Sequence, residues 1–141
     1  MNDIDFSINE GQIFNGKTYF RPYRADLGAA KHSIVLSSPK MYKVERNSLT
    51  EHLRELSSQG IEILILTTTA NEQTEYLQAK GLLVKIIPTL SLCTTIIDKS
   101  VVWYGAIHSL GYTSEEDNVI KVTDYNLANE LTNALLSINS A

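Results

Sequence analysis

The chain has 141 residues, a length that suits one domain with one hydrophobic core. Hydrophobic residues make up 43% and charged residues 20%, which excludes a disordered or fibrous chain. A net charge of −4 removes overall basicity as a sign of nucleic-acid binding.

The single cysteine, Cys93, excludes an internal disulfide framework and any multi-cysteine zinc site, and a reducing cytoplasm is the expected location. The three histidines are scattered and lack metal-site spacing. No P-loop and no dinucleotide fingerprint is present, so neither a cofactor nor a metal is expected. The first 25 residues hold no apolar run of signal-peptide type, and no stretch nears the roughly 18 apolar residues of a membrane span. Seven of the twelve Lys and Arg fall between Lys17 and Arg46. Lys17, Arg21, Arg24, Lys40, Lys43 and Arg46 form the candidate nucleic-acid patch, with a mixed solvated surface as the bland alternative.

In chain order, residues 1–16 read as a polar N-terminal arm with scattered Phe6, Ile8, Ile13 and Phe14. Residues 17–141 read as the domain. Residues 17–31 look helical, since Pro22 suits a helix start. "SIVLSS" (33–38) is a short β-branched run expected to form a buried strand, ended by Pro39. Ser48 and Glu51 have capping-box spacing, and Leu49, Leu53 and Leu56 share one helical face that Gly60 closes. His32 is placed at a helix–strand junction and His52 on the exposed side of this helix. "IEILILT" (61–67) predicts a second buried strand, residues 71–80 a shorter helix closed by Gly81, and "LLVKII" (82–87) a third strand stopped by Pro88.

The pattern then changes. Residues 94–97 and 101–104 are separated by Asp98-Lys99-Ser100, which is hairpin spacing. Trp103 and Tyr104 should point to opposite faces of their strand. "NVIKV" (118–122) predicts another strand, and Asp124 can cap a final helix with an apolar stripe of Leu127, Ala128, Leu131, Ala134 and Leu135. Together these predict an α/β fold with a mixed, largely parallel sheet flanked by helices.

The block "IIDKSVVWYGAIHSLGYTSEEDNVIKV" resembles the core of the phospholipase D-like superfamily. "DLGAAKHSIVLSSP" and "LRELSSQGIEILILT" resemble the bacterial domains of this type that accompany helicases, restriction proteins and DNA-repair proteins. The likeness runs from about residue 17 to about residue 138 and implies a single half-repeat of that fold. The family motif is His-x-Lys, four residues, Asp, and a later Gly-Ser-x-Asn. It implies a histidine that attacks phosphorus, a second histidine that protonates the leaving oxygen, and Lys and Asn that hold the phosphoryl oxygens. Each domain supplies one motif, so a homodimer is implied.

Measured against that pattern, Ser91 stands at the nucleophile position and Cys93 at the lysine position, while Asp98 and Gly105 are retained. Ala106 replaces the hydroxyl residue and His108 the asparagine. Glu115 or Glu116 matches a later acidic residue. No catalytic set is intact, so these eight positions read as a vestigial pocket. Asp98 also fits a turn residue bonding to turn amides. Cys93 fits a small buried hydrophobe better than one half of a Cys93–His108 pair. His108 fits a loop hydrogen bond better than a phosphate contact. The resemblance therefore implies a non-catalytic domain that serves a larger DNA-processing protein in dimerisation or DNA docking. The alternatives are a nuclease rewired through Ser91, His108 and Asp98, and a pure protein-interaction domain.

Overall fold

A computed structural model describes residues 11–39, 48–105 and 116–138. In chain order the elements are β1 (Gly11–Asn15), α1 (Phe20–Gly28), β2 (Ser33–Ser37), α2 (Ser48–Ser58), β3 (Glu62–Thr67), α3 (Glu72–Ala79), β4 (Leu83–Ile86), β5 (Thr94–Ile97), β6 (Val101–Gly105), β7 (Asn118–Thr123) and α4 (Tyr125–Ser137).

The strands form one sheet in the order β1-β7-β6-β5-β2-β3-β4. β2, β3 and β4 are parallel, with α2 and α3 between them in the chain. The remaining neighbours, β2–β5, β5–β6, β6–β7 and β7–β1, are antiparallel. The α/β class and the mixed sheet are as expected, but the parallel part is a minority. The reason is topological: β5 enters beside β2, in the middle of the sheet, and the chain then folds back on itself. Residues 11–15, expected to end the N-terminal arm, are instead the edge strand β1, paired with β7 from Gly11↔Val122 to Asn15↔Asn118.

Alternation along each strand sends side chains to two apolar layers. Ile34, Leu36, Ile63, Ile65 and Trp103 lie in one layer with Tyr23, Leu27, Leu49, Leu53 and Leu77 of α1, α2 and α3. Val35, Leu66, Ile96 and Val102 lie in the other with Ala128 and Leu135 of α4 and with Ile87 and Leu90. Trp103 is fully buried and Tyr104 half-buried, on opposite faces as predicted. The Trp103 ring stacks on Phe14 at 5.3 Å and meets Tyr23 edge-on at 5.5 Å. Its indole N–H donates to Asp26 at 3.0 Å, and Asp26 also pairs with Lys121 at 2.7 Å.

The helix ends follow local chemistry. Asn71 accepts from the amides of Gln73 and Thr74, while the Thr74 hydroxyl accepts from the Asn71 amide, a complete capping box. Asp124 caps α4 by accepting from the Leu127 amide, as the sequence predicts. The box expected at Ser48 and Glu51 is not what these residues make. Ser48 is the first helical residue and accepts from Arg24 at 3.1 Å, and Glu51 pairs with Arg54 one turn on. The position that would cap α2 lies outside the described residues.

Candidate functional site

β2 and β3 end at Ser37 and Thr67, and β5 begins opposite the end of β2, with Ser37 paired to Thr94. β6 ends and β7 begins at the same end of the sheet, where Gly105 pairs with Val119. In open α/β sheets the crevice beyond the carboxyl ends of the strands is where ligands bind. Ser91, Cys93 and Gly105 lie at this end. Ser91 is exposed, and Cys93 is half-buried and packs against the larger apolar layer. Gly105 has φ of 105°, and a Cβ there would sit 2.9 Å from the Asn118 carbonyl oxygen, so only glycine lets β6 close on β7.

This end is rich in hydroxyls, in the short runs Ser37-Ser38, Thr67-Thr68-Thr69 and Thr94-Thr95, which match no motif. Ser37 donates to the Leu92 carbonyl, and Thr68 to the Pro39 carbonyl at 2.8 Å. Thr67 donates to the same carbonyl at 3.4 Å, and Thr94 to the Trp103 carbonyl at 2.8 Å. A hydroxyl has one proton to donate. These four spend theirs on the backbone, which fastens the strand ends and leaves no donor of this set for a phosphoryl oxygen.

Asp98 is elsewhere. It follows β5 at the opposite end, five residues from Cys93, which in extended chain is roughly 16 Å. Its carboxylate accepts from the backbone amides of Lys31 at 2.9 Å, His32 at 2.7 Å and Ser33 at 3.0 Å. Its own amide donates to the Ser33 carbonyl at 2.8 Å. The expected bonds to the amides of its own turn are replaced by a clasp on the α1–β2 connection, 65 or more residues away in sequence. Burial alone would raise its pKa, yet the amides of Ser33, Lys31 and His32 outweigh that and hold it below the ordinary value. Both Asp98 and Lys99 adopt φ of 52°, so the turn is left-handed.

No protein-family model and no curated protein matches the chain. Solved structures do. NucT from Helicobacter pylori superposes with a TM-score of 0.77 at 13% identity, over 92% of this chain and 95% of that one. Nuc from Salmonella typhimurium, a phospholipase D family member, gives 0.70 at 14% identity, over 94% of this chain and 98% of that one. The fold is phospholipase D-like. TrmBL2, an archaeal chromatin protein described as binding DNA in a novel mode, gives 0.63 at 14% identity, over 88% of this chain and 50% of that one.

On the phospholipase D-like frame the eight motif positions divide. Ser91, Cys93 and Gly105 lie at the same end of the sheet, and exposed Glu116 lies in the turn before β7. Asp98 is separated from them by the length of β5. Ala106, His108 and Glu115 lie outside the described residues. Among the described residues no group of three or more His, Cys, Asp or Glu is placed to hold a metal ion, and no helix is long and apolar enough to cross a membrane.

The candidate patch divides as well. β1 rises to Asn15 at the crevice end, so Lys17 and the first turn of α1 with Arg21 sit there, both exposed. Arg24 is drawn inward: it donates to His52 at 3.0 Å and to Ser48, and lies 5.6 Å over the Phe20 ring. Lys40, Lys43 and Arg46 are outside the described residues. His52, expected on the exposed side of its helix, is half-buried between α1 and α2. Burial and the Arg24 charge lower its pKa, against a smaller pull from Glu55. A folded pKa below the ordinary 6.5 means stability is full above that value and falls as pH drops toward the folded pKa. His52→Asn, which keeps an acceptor for Arg24 and does not titrate, should flatten that decline. Chemical denaturation between pH 7.5 and 5 measures it, and an unchanged slope would remove His52 as its source.

Proposed function

We propose that this is a non-catalytic phospholipase D-like domain that docks DNA at its strand-end crevice, as part of or partner to a larger cytoplasmic DNA-processing protein. One observation carries the reading. The strand-end positions that the resemblance assigns to histidine and lysine hold Ser91 and Cys93, while Asp98, which it matches to the motif's aspartate, is bound to three amides at the other end. A serine without a base does not attack phosphorus at a useful rate, and a thiol does not replace the ammonium that steadies the developing charge. Ser91, Cys93, Gly105 and Glu116 on this reading are the described rim of a vestigial pocket. Pairing of two copies across the crevice end belongs to the same reading, since the family builds one site from two motifs.

DNA docking is supported by exposed Lys17 and Arg21 beside the crevice and by the likeness in fold to a chromatin protein described as binding DNA. Fluorescence anisotropy with single- and double-stranded DNA across a salt series tests it. Affinity should fall steeply with salt, and Lys17→Glu with Arg21→Glu should weaken binding about tenfold or more and reduce the salt slope by about 2. No binding even at low salt would defeat the docking role and leave a protein-interaction domain.

A further inference from the structure

Phe20 is an outlier on α1. It opens the helix at the crevice end and is 41% exposed, while Tyr19 and Tyr23 nearby in the chain are buried. Phenylalanine has no polar atom to offer water, so solvent disfavours the part of the ring that the fold leaves open.

The ring is nevertheless held in one place. The Arg24 guanidinium lies 5.6 Å over its centre, and the Tyr19 ring meets it edge-on at 5.9 Å. Arg24 is itself fixed, since it donates to His52 at 3.0 Å and to Ser48 at 3.1 Å. Exposed Lys17 and Arg21 flank Phe20 in the chain. Three cations therefore accompany one open ring, in a chain whose net charge is −4.

We infer, on the basis of the DNA docking proposed above, that Phe20 is a base-stacking platform and that the ligand docked at this end is single-stranded DNA. Sequence-neutral binders of single strands combine cations that follow the phosphates with aromatic rings that take the bases, and an arginine on the ring adds to the attraction. Residues 17–24 supply both parts: Lys17 and Arg21 for the backbone, and Phe20 with Arg24 for a base. A duplex keeps its base faces inside its own stack, so it meets the cations alone. Phe20 lies outside the motif positions, so the platform does not depend on the vestigial pocket.

Fluorescence anisotropy with three labelled probes of one length tests this: oligothymidylate, an abasic strand and a duplex. The wild type should hold oligothymidylate about tenfold more tightly than the abasic strand. Phe20→Ala should erase that advantage. It should leave the abasic and duplex affinities and the salt slope as in the wild type, since no charge is removed. Phe20→Trp should keep the advantage, and oligothymidylate but not the abasic strand should quench its emission over the background of fully buried Trp103. Circular dichroism should be native for both variants. Equal wild-type binding of oligothymidylate and the abasic strand, or an advantage that survives Phe20→Ala, overturns the inference and leaves docking through the cations standing. No binding of any probe at low salt overturns the docking itself, and this inference with it.

Discussion

Asp98→Ala should lower folding stability by about 3 kcal/mol, with the loss read from chemical denaturation by the fluorescence of Trp103, the only tryptophan. Three amides lose a charged acceptor, and bonds to charged groups are worth about 1.5 to 3 kcal/mol each. The Lys31 and His32 amides belong to exposed residues and can turn to water, which keeps the total well below the sum. Alanine also tolerates the left-handed backbone less well than aspartate. Asp98→Asn keeps the backbone preference and one acceptor, so it should fall between the two. The folded pKa is depressed below the ordinary 3.8, so the clasp's contribution is full above that ordinary value and is lost as pH falls through the folded value. The acid limb of the stability profile should shrink in Asp98→Asn. A wild-type stability in Asp98→Ala would refute the clasp. The predicted loss bears on function too, because on the proposed reading this motif position serves the fold here.

Trp103→Ala should be still more damaging, by about 3 to 5 kcal/mol, the usual range for emptying a large aromatic from a core. The side chain is fully buried, and its loss opens a hole bounded by Phe14 and Tyr23. Asp26 also loses the indole donor, although Lys121 still pairs with it. Trp103→Phe should cost less, because packing is partly kept while the hydrogen bond is lost. Circular dichroism against denaturant measures both. A smaller loss in Trp103→Ala than in Trp103→Phe would contradict the packing account. The cluster ties β1, α1, β6 and β7 into one body, so its failure should also release the edge strand β1.

Much of this was legible in the sequence, for definite reasons. The runs at 33–38 and 61–67 are apolar because β2 and β3 are covered on both faces, and runs of that kind announce buried strands, while the run at 82–87 announces β4 although Leu83 is exposed on that edge strand. The hairpin of β5 and β6 was legible from three turn residues between two alternating segments. β1 was not, since an edge strand with Ile13 at 73% exposure and a polar setting has no apolar run to show. The mixed direction of the sheet was visible, but not that β5 inserts beside β2, because strand order depends on long-range pairing. Asp98 was recognised as a turn residue with amide partners, while the partners themselves, at 31–33, carry no side-chain signal at all. His52 was misplaced to the surface because its contact, Arg24, comes from another helix.

The proposed loss of catalysis at the strand end that holds Ser91 and Cys93 is the centre of this account, and a hydrolysis assay tests it most directly. The whole chain would be incubated with a chromogenic phosphodiester, with plasmid DNA and with RNA, in chelator, from pH 5 to 9. Release at the rate of the protein-free blank is the expected result, with Ser91→Ala and Cys93→Ala indistinguishable from wild type. Turnover above the blank that disappears on replacing Ser91 or Cys93 would show a working phosphodiesterase and contradict it.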